Sequence, residues 1–196
     1  MLFESLIHDF IQLLPSTQLK KRKNDMRALL LQKRRILTKE EVAQCSAEVM
    51  EQLLATDEYR HARNILLYYP VHHEIDLRGL FSRQDGKTLL LPVTHRNSLE
   101  LRPYQGEETI KRGRLGIPEP QTPTYKGSVD LIIVPGVGYD RDNRRLGRGG
   151  GYYDRFLKRL HGVPVIGVGY AFQLVKEVPH ALHDRKVSRV ILSRTK

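Results

Sequence analysis

The sequence predicts an α/β fold: a single domain with a mostly parallel central sheet flanked by helices, behind an N-terminal helical segment. Two observations carry this. Short apolar runs rich in β-branched residues, Ile65 to Tyr69, Lys87 to Val93, Val129 to Val134, Val163 to Val168 and Val187 to Leu192, are bounded by Gly, Pro and polar residues and read as strands buried on both faces. Helical patterns lie between several of them, and a chain of 196 residues suffices for one generous core but not for two well-separated enzymatic domains.

Taken in order, MLFESLIHDFIQLLPS has an apolar run but carries Glu4, His8 and Asp9 and lacks a positive leader region, so residues 1–19 read as an appended amphipathic helix and residues 20–196 as the α/β domain. Next, KKRKNDMRALLLQKRRIL places Met26, Leu29, Leu30, Ile36 and Leu37 at near-helical spacing among cations, a basic-faced helix. Thr38 and Glu41 form a capping box, which starts a second helix through Val42, Ser46, Val49 and Leu53. Further helices are expected at Asp76 to Arg83 and at Gly151 to Leu160, and Ser98 to Tyr104 adds an outlying strand. Residues 105–128, rich in Gly, Pro and charge, read as a long irregular connection, and such loops are uncommon unless they are functional.

Composition narrows the function classes. The formal charge is +11, which implies an anionic partner more than any fold, and nucleic acid, a membrane surface or a small phosphorylated or carboxylated molecule all qualify. Residues 141–196 hold thirteen basic against four acidic side chains, so nine of the eleven excess charges fall there. No stretch approaches the roughly 20 apolar residues that cross a bilayer. The single cysteine, Cys45, excludes an intrachain disulfide framework and a multi-cysteine zinc site, and points to a reducing, cytoplasmic setting.

The richest segment is VDLIIVPGVGYDRDNRRLGRGGGYYDRFLKRL, a buried strand, a polar turn, a glycine cluster and an amphipathic helix. Gly147, Gly149, Gly150 and Gly151 let backbone N–H groups approach a ligand, while Arg144, Arg145 and Arg148 supply forked donors for phosphate or carboxylate. Neither GxxxxGK[ST] nor GxGxxG fits: Tyr152 and Tyr153 follow Gly151, and Arg141 stands where the third glycine would be. A flexible solvated turn is the plainer reading, but so many glycines interleaved with arginine favour an anion cradle.

RLGRGGGYYDRFL, preceded by DLIIVPGVGYD, resembles the signature of the 5-formyltetrahydrofolate cyclo-ligase family, also called 5,10-methenyltetrahydrofolate synthetases. Lys23-x-x-x-Arg27, YYPVHHEID around Glu74, and GKTLLLPV followed by LGIPEP support the likeness over roughly residues 20–186. The resemblance implies Mg2+- and ATP-dependent closure of 5-formyltetrahydrofolate, with or without a polyglutamate tail, to 5,10-methenyltetrahydrofolate, by phosphorylation of the formyl oxygen and attack of N10. It implies that Lys23 and Arg27, one helical turn apart, bind the ATP phosphates. The loop Arg145, Leu146, Gly147, Arg148, Gly149, Gly150, Gly151, Tyr152 and Tyr153 would cradle ATP, with Arg148 to Tyr152 nearest the folate and Arg148 and Tyr152 catalytic. Tyr69 and Glu74 would contact the folate, Glu74 accepting from the donor-rich pterin, and Asp154 and Asp184 would ligate Mg2+. A nucleophilic residue is not required, because phosphoryl transfer is mostly positioning and charge neutralisation.

Two departures stand out. Asn143 replaces a glycine common in the family, a benign change because Asn tolerates a left-handed backbone. VSRVILSRTK lacks the family's acid and Thr-Glu pair around the last strand, so nucleotide contacts there do not carry over. Other readings of the residues are a basic nucleic-acid-binding module and another ATP-dependent enzyme on a similar scaffold. His180 with His183, and His72-His73-Glu74, lack a zinc-protease spacing. The combined expectation is a cytoplasmic monomer acting on folate and ATP, with neither specific nucleic-acid nor membrane binding.

Overall fold

A computed structural model of the chain describes residues 16–83, 85–181 and 184–196. The elements are α1 (Ser16–Arg35), α2 (Lys39–Leu54), α3 (Asp57–His61), β1 (Asn64–Leu66), β2 (Thr88–His95), β3 (Ser98–Pro103), β4 (Ile110–Arg112), β5 (Pro118–Pro120), β6 (Leu131–Pro135), β7 (Gly138–Tyr139), β8 (Arg145–Leu146), α4 (Tyr152–Leu157), β9 (Val165–Gly169) and β10 (Arg189–Leu192). The helix expected over the first residues lies largely outside the described range, and α1 runs unbroken through positions 19 and 20.

Six strands form one sheet in the order β10-β9-β6-β1-β2-β3, parallel except for β3, which runs antiparallel to β2. This is the predicted mostly parallel sheet. Its central strands β6 and β9 are apolar throughout because both faces are covered. Ile65, Leu89, Leu91, Leu131, Ile133, Ile166 and Val168 point to one face and pack with Val49 and Leu53 of α2. Leu66, Leu90, Ile132, Val134 and Val165 point to the other and pack with Leu157 of α4. A third cluster joins Leu30 of α1 to Val137, Leu146 and Val178, which docks the basic helix against the β7–β8 turn. The predicted capping box is present: Glu41 N–H donates to the Thr38 hydroxyl at 3.1 Å, and Thr38 N–H donates to the Glu41 carboxylate at 2.9 Å.

Three expectations are corrected. Asp76 to Arg83 contains only a 3-10 turn at Arg78–Leu80, where Leu80, Phe81 and Arg83 N–H donate to carbonyls three residues back at 2.9, 2.8 and 3.2 Å. The stretch 105–128 is not wholly irregular: β4 and β5 form an antiparallel hairpin within it. α4 stops at Leu157, since Arg159 and Leu160 donate to Phe156 and Leu157 in tightened i to i−3 bonds at 3.1 and 3.2 Å.

The chain leaves β1 toward β2 on one side and later returns through β6 on the other. Strand order therefore reverses between β1 and β6, and open α/β sheets bind ligands in the crevice beyond the carboxyl ends of the strands at such a point.

Candidate active site

The loop after β1 carries Glu74 to that crevice. His72 and His73 both adopt left-handed backbone, φ 51° and 58°, so the chain doubles back and Glu74 N–H donates to Val71 O at 3.1 Å. Glu74 Oε2 accepts the Val71 N–H at 3.1 Å, which fixes the carboxylate against its own turn.

The loop after β6 arrives from the opposite side. Asp140, 2% exposed, organises its first part by accepting N–H groups from Asp142, Arg144 and Val178. Arg144 pairs with Asp140 and Asp142, so it belongs to the turn rather than to the cradle expected from the sequence. Asn143 sits at φ 60°, the left-handed conformation that its residue type tolerates. Gly149 and Gly151, at φ 106° and 64°, turn the chain into α4 through conformations that L side chains rarely adopt. Arg27 Nε, reaching from α1, donates to Gly147 O at 2.8 Å and anchors the loop.

This glycine-arginine loop divides two hollows. On one side is an apolar cavity of about 130 Å³ whose wall includes Tyr68, Tyr69, Glu74, Pro135, Tyr152 and Tyr153. On the other is an open cleft of about 690 Å³, bounded by Lys20, Lys23 and Arg27 of α1 and by Arg155 and Lys158 of α4. Arg145, Gly147, Arg148, Gly150, Gly151 and Asp154 line both. Leu146 and Gly149 face the cleft only, and Tyr152 and Tyr153 face the cavity only.

Several charges of this partition are paired. Arg148 Nε and Nη2 donate to Glu74 Oε1 at 3.1 and 2.8 Å, while its side chain remains 40% exposed. Arg34, only 3% exposed, places Nη1 4.0 Å from the same oxygen. Arg145 Nη2 pairs with Asp154 Oδ1 at 3.2 Å, and its guanidinium lies over the Tyr153 ring. Lys23 pairs with Asp184, whose Oδ2 also accepts the Ala181 N–H at 2.7 Å. Burial lowers the Arg27 guanidinium from its ordinary value against the pull of Asp184 and Asp154, and it stays cationic at neutral pH. Burial also raises the Tyr68 and Tyr153 phenols, which keeps the cavity wall uncharged at these positions.

Among the described residues no group of three or more His, Cys, Asp and Glu side chains is placed to hold a metal ion by itself. Asp154 and Asp184 nevertheless share the cleft. One or two carboxylates completed by water and phosphate oxygens is the usual Mg2+ arrangement at a nucleotide, so the donor set fits that ion.

Residues 19–193 match the sequence profile described as the 5-formyltetrahydrofolate cyclo-ligase family. The chain belongs to this family. A mouse 5-formyltetrahydrofolate cyclo-ligase is 29% identical over 191 residues, covering 86% of this chain and 92% of the relative. The solution structure of a 5,10-methenyltetrahydrofolate synthetase from Aquifex aeolicus superposes with a TM-score of 0.79 at 34% identity, covering 88% of this chain and 90% of that one. A 5,10-methenyltetrahydrofolate synthetase from Mycoplasma pneumoniae gives 0.70 at 27% identity, covering 86% and 97%. The chain is thus an enzyme of the cyclo-ligase family, with the fold of the methenyltetrahydrofolate synthetases.

Sequence reasoning missed one wall of the cavity. Leu115, Ile117, Pro118 and Glu119, from the β4–β5 hairpin, line the cavity together with Tyr69 and Glu74. The LGIPEP stretch was the available signal, but it carries no periodicity that assigns it a role. Arg34 was also missed, because it lies in a run of cations that reads as solvated.

Proposed function

We propose that this enzyme converts 5-formyltetrahydrofolate to 5,10-methenyltetrahydrofolate with consumption of Mg-ATP and release of ADP and phosphate. The observation that carries the reading is the shared wall: one loop borders both an apolar cavity suited to a flat pterin and a basic cleft suited to a triphosphate.

On this reading Lys23 and Arg27 grip the phosphates, aided by Arg145, Leu146 and the glycine-rich backbone to Gly151. Tyr69, Glu74, Tyr152 and Tyr153 hold the folate. Asp154 and Asp184 would hold Mg2+, which when bound would supply positive charge against the triphosphate. The formyl oxygen attacks the γ-phosphorus and ADP leaves. N10 then attacks the activated carbon and loses its proton, and the C–O bond breaks to release phosphate carrying the formyl oxygen. Arg148 stands where the two hollows meet, and its Nη1 makes no hydrogen bond among the described residues. Charge that develops between the substrates is the natural target for that donor, and Tyr152 beside it shields the reacting groups from water.

The positions of the arginines favour a small anion over nucleic acid. Arg34 and Arg145 are buried, while Lys23 pairs with Asp184 and Arg27 turns toward the loop rather than both lining one exposed helix face. Both hollows are built from one chain, so a second subunit is not required. Mixing the protein with 5-formyltetrahydrofolate and Mg-ATP should produce the near-ultraviolet absorbance of the methenyl product. Folded protein that gives no absorbance change with both substrates present would overturn the reading.

A further inference from the structure

Two carboxylates line the apolar cavity, and they differ in what they already hold. Glu74 is occupied: Oε1 accepts twice from Arg148 and Oε2 accepts the Val71 N–H. Glu119 on β5 is 5% exposed, and among the described residues its carboxylate accepts one hydrogen bond, from Thr94 N–H to Oε1 at 2.9 Å. Among the described residues no ion pair reaches this carboxylate and no further donor reaches Oε2. Oε2 lies instead over the backbone of Gly113 across the hairpin, where a Cβ would stand 2.1 Å away, so this glycine admits the carboxylate. A buried carboxylate without a cation is costly unless donors satisfy it, and here the unfilled lone pairs belong to a residue of the cavity wall.

We propose that Glu119 is a substrate-binding residue that accepts hydrogen bonds from the N–H donors of the reduced pterin, its 2-amino group and adjacent ring N–H. This rests on the folate reading of the cavity. Glu119 thereby sets specificity. A ligand that offers acceptors to this wall leaves the carboxylate unpaired, whereas an amino-pyrimidinone edge supplies two parallel donors to two oxygens. The hairpin becomes part of the recognition surface, tied to β2 through the Thr94 contact.

The test is the Glu119→Gln variant. The amide oxygen still accepts from Thr94 N–H, so the thermal midpoint should stay at the unaltered value, while the charge and one acceptor are lost. The dissociation constant for 5-formyltetrahydrofolate, measured without nucleotide, should rise about tenfold or more, as loss of a charge-assisted hydrogen bond implies. The KM for Mg-ATP should stay within about twofold, since Glu119 does not border the cleft. An analogue with methyl in place of the 2-amino group should bind the unaltered protein more weakly, and Glu119→Gln should weaken it no further. Unchanged folate binding by Glu119→Gln, or equal weakening of both substrates with a lowered thermal midpoint, would overturn the assignment. If the unaltered protein binds and cyclises 5-formyltetrahydrofolate, either result counts against Glu119 alone. If it binds no folate, the functional reading fails with it.

Discussion

The two hollows on either side of the glycine-arginine loop are built by different means. The basic cleft draws on few segments, α1, the loop, α4 and the stretch at Ala181 and Asp184, and its cations are long side chains that reach mainly from helices. The apolar cavity is assembled from residues far apart in sequence: the β1 loop, β2, the β4–β5 hairpin and the loop after β6. A triphosphate presents charge that flexible Lys and Arg side chains can follow, whereas a flat heterocycle needs a rigid wall with few, fixed polar groups. The comparison teaches that the cleft should govern nucleotide affinity, the cavity folate affinity, and only the residues shared between them the chemical step.

The sharpest break of that division is at Arg148. Arg148→Ala should lower kcat by roughly two to three orders of magnitude, the usual effect of removing one donor aimed at developing charge, and steady-state kinetics would show it. An unchanged kcat would remove Arg148 from the junction. Lys23→Ala should raise the KM for Mg-ATP by about ten- to a hundredfold, as expected for a lost charged hydrogen bond, and leave the KM for folate nearly constant. A parallel rise in both would mean that the hollows are not separate in function. The smallest effect is expected at Leu115, which is half exposed at the hairpin tip and lines only the cavity. Leu115→Ala should raise the folate KM by a few fold, in keeping with partial loss of an apolar contact, with Mg-ATP unaffected.

The same contrast explains what was legible in the sequence. Strands such as Leu131–Pro135 could be read because burial on both faces leaves an unbroken apolar run. The loop from Arg145 to Tyr153 stands out as a candidate site because its glycines and arginines are adjacent in the sequence, and it lines both hollows. The cavity roof could not be read. β4 and β5 have three residues each, β5 is Pro-Glu-Pro, and neither alternates in a way that marks a strand. Nor could the burial of Arg34 be read, because Lys33 and Arg35 beside it differ from it only in which way α1 turns them. Asp76 to Arg83 was misread as a longer helix because periodicity does not distinguish one 3-10 turn from a continuing α-helix.

The central claim is that one loop separates two ligands and joins them at Arg148. The most direct measurement is a crystal structure of the protein with 5-formyltetrahydrofolate and a non-hydrolysable ATP analogue. The account predicts the triphosphate in the cleft beside Lys23 and Arg27, the pterin in the cavity beside Tyr69 and Glu119, and Arg148 between the γ-phosphate and the formyl group. Both ligands on the same side of the loop, or a pterin outside the cavity, would contradict it.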